Sequence, residues 1–88
     1  MATVSEVLQI ALNHHQAGRL QEAEHLYREI LFVDPQHPDA LHYLGLVYHQ
    51  TGKEEEAIEY IERAIILMPD NAHYHNTLGV VRRKAGRL

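Results

Sequence analysis

Eight histidines are spread through the 88 residues, and histidine is the side chain best suited to hold a metal ion or to change charge near neutral pH. Their spacing decides between those uses. His42 and His49 are seven residues apart. On a helix that places them on one face but about 10 Å apart along the axis, too far to share an ion. His14 and His15 are adjacent and point apart, and His73 and His75 also diverge. Neither an HExxH sequence nor an i, i+4 histidine pair is present. The spacing therefore predicts solvated or partly packed histidines and no metal site. Histidines on a binding face would instead make affinity pH-dependent, an idea that an unchanged affinity between acid and neutral pH would exclude.

Other reactive groups are sparse. Arg83 and Lys84 could hold a carboxylate, or simply form a solvated helix face. Glu54, Glu55 and Glu56 suit the positive end of a helix dipole. Asp34, Asp39 and Asp70 flank prolines and read as local caps. There is no cysteine, so there is no thiol nucleophile, disulfide or thiolate ligand. No Ser-His-Asp spacing, glycine-rich phosphate loop or pair of catalytic carboxylates stands out. The expectation is a chain without catalytic activity or cofactor.

The elements that must position these residues repeat every 34 positions. Gly18, Gly52 and Gly86 keep that spacing, as do Ala23 and Ala57, Pro35 and Pro69, His15-Gln16 and His49-Gln50, and Leu44-Gly45 and Leu78-Gly79. A period of this length marks a helical solenoid. A first helix is expected from Val4, after a Thr3-x-x-Glu6 capping box, with a stripe of Val7, Ile10, Ala11 and His14. Gly18 ends it. A second runs from about Leu20 to Val33, with Ala23, Leu26, Tyr27, Ile30 and Leu31 inward, and Pro35 stops it. Pro38 opens a third, carrying Leu41, Leu44, Gly45 and Tyr48 and closed by Gly52. The Glu54–Glu56 run opens a fourth, carrying Ala57, Ile61, Ala64 and Ile65 and ended by Pro69. Asn71 caps a fifth, which carries Leu78, Gly79 and Val81 to Gly86. Short connections make neighbours antiparallel.

The fold class expected is all-α: five antiparallel helices in two and a half units, spanning about 4–37, 38–71 and 72–88. Hydrophobic content of 45% and charged content of 23% fit a folded chain, and a net charge of −4 argues against a general nucleic-acid partner. No apolar run approaches the roughly 20 residues of a membrane helix, and Met1 to Gln9 does not read as a signal peptide. A cytoplasmic location is the expectation. The final half unit, with Leu78, Val81 and Leu88, is expected to begin a further unit, making the chain a piece of a longer array. That end would support weak self-association, which strictly monomeric behaviour at millimolar concentration would contradict.

The pattern resembles the tetratricopeptide repeat. The second unit matches each step of that family's motif: Leu41, Leu44-Gly45, Tyr48, Ala57, Ile61, Ala64 and Pro69. The first is looser, with Ala11 for Gly, His14 for Tyr and Ile30 for Ala. The third has His75 and Arg82 where larger apolar residues are usual.

The resemblance implies that positions 2, 5, 9, 12 and 13 of each unit face a concave, peptide-binding groove. In the first unit these are Ser5, Leu8, Leu12, His15 and Gln16. In the second they are Asp39, His42, Leu46, His49 and Gln50, and in the third His73, Asn76, Val80, Arg83 and Lys84. Leu12, Leu46 and Val80 would form an apolar floor. Alanine at His49 and Gln50 is expected to weaken binding and leave helical content intact. Some members clamp a chaperone's C-terminal carboxylate; the corresponding Leu8, Leu12, Tyr43, His73 and Thr77 include none of the Lys, Arg or Asn used there. The nucleocytoplasmic O-linked N-acetylglucosamine transferases place Asn at position 6, where this chain has Gln9, Tyr43 and Thr77.

The implied function is a protein–protein interaction module with a protein or peptide partner. A second reading comes from the stretch His14 to Pro38. It resembles the opening of bacterial repeat proteins that continue into a catalytic domain, such as protein O-glycosyltransferases, and would make the chain a substrate-presenting arm. A third is homo-oligomerisation alone.

Overall fold

In the computed structural model, which describes residues 2–86, five α-helices follow one another: α1 (Val4–Gln16), α2 (Leu20–Val33), α3 (Pro38–Gln50), α4 (Glu54–Leu67) and α5 (Ala72–Ala85). Each boundary has a local cause. At the start of α1, the Thr3 amide donates to Glu6 Oε1 at 2.9 Å and the Glu6 amide to Thr3 Oγ1 at 3.1 Å, a reciprocal capping box. Gly18 and Gly52 sit at φ +81° and +84° just past α1 and α3, where a side chain would be strained. Gly86 differs, with φ −69°. Asn71 caps α5 by accepting from the Tyr74 amide at 3.0 Å. Its counterpart at α3 is His37, whose Nδ1 accepts from the Ala40 amide at 3.1 Å while Pro38 occupies the first turn. That cap was not legible in the sequence, because histidine is an uncommon choice there.

The helices form two rows, with α1, α3 and α5 in one and α2 and α4 in the other, and the stack measures 43 × 27 × 19 Å. Its core holds Ala11, Ala23, Tyr27, Leu44, Val47, Tyr48, Ala57, Ile61 and Val81. A second cluster of Leu41, Ala64 and Tyr74 lies beside it. The expected stripes of α2, α3 and α4 supply most of this set. In α1 the stripe is rotated from expectation: Ile10 is 47% exposed, while Leu8 and Leu12 pack on the core. In α5, Val81 is fully buried and Leu78 packs against the core, so neither supplies the exposed apolar end expected for self-association. Leu88 lies outside the described residues.

Three buried tyrosines each reach a neighbouring helix. The Tyr27 hydroxyl of α2 meets His15 Nδ1 of α1 at 2.9 Å. The Arg28 guanidinium of α2 donates to the Tyr48 hydroxyl of α3, and the Tyr74 hydroxyl of α5 donates to Asp39 of α3. Burial pushes the Tyr27 hydroxyl well above the ordinary phenol range, and burial together with Asp39 does the same to Tyr74. Both therefore stay neutral donors. A buried phenol needs such a partner, so each bond specifies which helix lies alongside.

Gly45 and Gly79 hold the same place in successive units but different surroundings. A Cβ on Gly45 would lie 2.7 Å from Ile61 Cγ1 and 3.1 Å from the Ala57 carbonyl oxygen, whereas a Cβ on Gly79 would meet nothing within 4 Å. Gly45→Ala is expected to destabilise the chain by about 1–3 kcal/mol through overpacking. Gly79→Ala should instead stabilise it by up to about 1 kcal/mol through helix propensity. Urea unfolding of both variants measures the contrast, and equal effects would show that α3 and α4 do not meet at Gly45.

Candidate functional site

His15 on α1 bridges to α3 across the concave side. Its Nδ1 faces the Tyr27 hydroxyl, and its Nε2 lies 2.7 Å from Gln50 Oε1 on α3. Tyr27 is a neutral phenol and donates its proton to Nδ1. The Gln50 carbonyl oxygen only accepts, so Nε2 carries the donated proton and orients the ring. Tyr43 stacks on Tyr27 with centroids 6.0 Å apart and meets His15 edge-on at 6.4 Å. Around these residues opens a recess of about 420 Å³, lined by Leu12, His15, Gln16, Tyr43, Leu46 and Gln50. It has an apolar floor of leucine and tyrosine and an amide and imidazole rim. Such a surface can bury an apolar side chain and hydrogen-bond the backbone beside it.

Five of the expected groove residues thus meet in one recess: Leu12, His15, Gln16, Leu46 and Gln50. Tyr43 joins them. In the sequence it stands out only as a position lacking the family's polar ligand-binding residues, which gives no sign that it lines the recess. On α5, His73, Asn76, Val80, Arg83 and Lys84 are all exposed, Val80 at 42%.

His42 is a correction. Its ring is fully buried between α3 and α5, so it offers nothing to a ligand at the surface. Nε2 lies 2.9 Å from Thr77 Oγ1, and the ring stacks on Tyr74 with centroids 4.7 Å apart. Burial, reinforced by His73, lowers its pKa to about 4. Asp39, read from the sequence as a local cap, instead accepts from Tyr74 across the same interface.

His49 is a second correction. It turns toward the α3–α4 connection, where Nδ1 lies 3.1 and 3.0 Å from the two carboxylate oxygens of Glu54. Glu54, only 8% exposed, is therefore more than a helix-opening charge. The imidazole sits at the C-terminal end of α3 and the carboxylate at the N-terminal end of α4, each at the favourable pole of its helix dipole. A carboxylate accepts only, so His49 Nδ1 carries the donated proton. Among the described residues no three His, Asp or Glu side chains converge to hold a metal ion. No helix among them is long and apolar enough to cross a membrane.

The tetratricopeptide repeat profile matches residues 8–72, most of the chain. The chain belongs to the tetratricopeptide repeat family. No curated protein matches it in sequence. Among solved structures, the crystal structure of MamA superposes with a TM-score of 0.86 at 21% identity, over 96% of this chain and 49% of that one. The tetratricopeptide repeat chain therefore spans about half the length of the MamA chain it matches, and at that identity the likeness is one of fold. The all-α solenoid expected from the 34-residue period is the fold observed. As a tetratricopeptide repeat protein it is an interaction scaffold in general terms, on which particular surfaces decide the partner.

His49 and Gln50, adjacent on α3, separate stability from surface. His49→Ala should cost about 1–3 kcal/mol by leaving buried Glu54 without its donor. Gln50→Ala, at the exposed rim, should stay within about 0.5 kcal/mol of the parent. Chemical denaturation distinguishes them, and an unaffected His49→Ala variant would remove the structural role.

Proposed function

We propose that the chain binds a peptide or protein segment along the surface formed by α1, α3 and α5, and that this surface acts without a chemical step of its own. The supporting observation is the recess over Leu12, Tyr43 and Leu46, rimmed by His15, Gln16 and Gln50. An apolar side chain from the partner would enter the recess, and its flanking backbone would bond the Gln16 and Gln50 amides. The partner would continue across α5 past Asn76 and Val80, with Arg83 and Lys84 available to acidic groups. The second reading, a substrate-presenting arm of a larger enzyme such as a protein O-glycosyltransferase, uses the same surface. The support for it is the resemblance carried by His14 to Pro38.

A peptide selected from a random displayed library against the 88-residue chain supplies the probe. Leu46→Ser should weaken its binding by about tenfold or more, as loss of a buried apolar anchor does. Phe32→Ser, at an exposed position on α2, should leave it unchanged. Calorimetric titration reads both. A peptide sensitive to Phe32 and indifferent to Leu46 would place binding elsewhere.

A further inference from the structure

The buried imidazole of His42 has one bonded nitrogen and one orphan. Thr77 Oγ1 donates its single proton to the His73 carbonyl oxygen at 3.0 Å. It must therefore accept from His42, which places the ring's proton on Nε2. Nδ1 is left as a bare lone pair, fully buried and without a hydrogen-bond partner. A second proton can go only to Nδ1, where it would create both a buried charge and a donor with no acceptor.

Most of what encloses this ring comes from α5. Tyr74 stacks on it at 25° and 4.7 Å, His73 meets it edge-on at 4.7 Å, and Thr77 holds Nε2. Tyr43 closes the α3 side at 4.8 Å. Among the described residues, the charged or titratable groups acting on His42 are His73 from α5, Asp39 from α3 and His15 from α1. Positive charge on His73 or His15 opposes its protonation. Asp39 favours it, but that carboxylate is engaged by the Tyr74 hydroxyl and does not reach Nδ1. The strain of charging His42 is thus relieved chiefly by moving α5 away and letting water reach the ring.

We propose that protonation of His42 weakens the docking of α5, which makes the last helix an acid-sensitive flap; α5 is also held to α4 by the Arg82–Glu62 ion pair and by Val81 in the core, so the loss of the α3 contact shifts the docking equilibrium against those contacts. The docked state holds the ring neutral down to about pH 4, while a released, solvated histidine takes up its proton near its ordinary value of 6.5. Docking is thus fully favoured above about pH 6.5. It weakens as pH falls through the window down to about 4, because the released state binds the proton first. Release carries His73, Asn76, Val80, Arg83 and Lys84 away from the recess. That consequence for binding rests on the surface proposed above; the release itself does not.

Hydrogen exchange on the whole chain without ligand tests the flap. Expressed as protection factors, α5 amides should lose about fortyfold between pH 6.5 and 4.5, while α1 and α2 amides keep theirs. In the same samples, the His42 ring resonance should report protonation in step with that loss. His42→Leu, which has nothing to protonate, should make α5 protection independent of pH. The proposal is overturned by α5 protection that is constant over the window, by a His42 ring that takes up its proton while α5 stays protected, or by a His42→Leu variant that keeps the acid response. None of these outcomes depends on whether a peptide binds.

Discussion

A Cβ on Gly45 would lie 2.7 Å from Ile61 and 3.1 Å from the Ala57 carbonyl, so α3 and α4 approach to within backbone contact there. The rest of the stack is built out from that close approach. Ala11, Ala23, Ala57 and Ala64 are all fully buried and let other helices approach closely. Tyr27, Leu44, Val47, Tyr48 and Ile61 then fill the space between, as the density of a protein interior requires. A helix hairpin alone cannot cover these side chains, and each unit depends on its neighbour to exclude water from them.

Burying tyrosines so close to the concave face ties the core to the candidate surface. Tyr27 is a core residue, yet its hydroxyl meets His15, whose other nitrogen orients Gln50 at the rim. Tyr74 is buried, and its hydroxyl engages the Asp39 carboxylate beside His42. A run of rings (His15, Tyr27, Tyr43, His42) crosses from α1 to α3 and ends on Tyr74 and His73 of α5, both against His42, with contacting centroids between 4.7 and 6.0 Å. A ligand over Tyr43 would therefore rest on a floor whose position is set by the packing of three units. Within that row His42 is the fully buried imidazole, and its charging is what acid would bring.

The fold was legible in the sequence because its causes are local and periodic. Capping residues, positive-φ glycines and a 34-residue spacing of small and large residues each act within a few turns of where they stand. The site was legible only by halves. The helix face implied by the family resemblance brings Leu12, His15, Gln16, Leu46 and Gln50 to one recess. What lies opposite each side chain cannot be read in that way. His42 and His49 share the spacing of surface positions, but one is covered by Tyr74 and Thr77 and the other is drawn to Glu54. Likewise Ile10 fits the stripe of α1 and is exposed, while its counterpart one unit later, Leu44, is buried by the unit that precedes it. Thr77 and Tyr74 became core residues for the same reason: their partners come from α3, 35 residues earlier in each case.

The proposed partner lies across α1, α3 and α5. Amide chemical-shift mapping of the chain with a library-selected peptide tests this directly. The predicted result is a continuous band of perturbed residues through Leu12, Gln16, Tyr43, Leu46 and Gln50 and on to Asn76 and Val80. Perturbation centred instead on the exposed ends of α2 and α4, where Phe32 is 82% and Ile66 77% exposed, would contradict it.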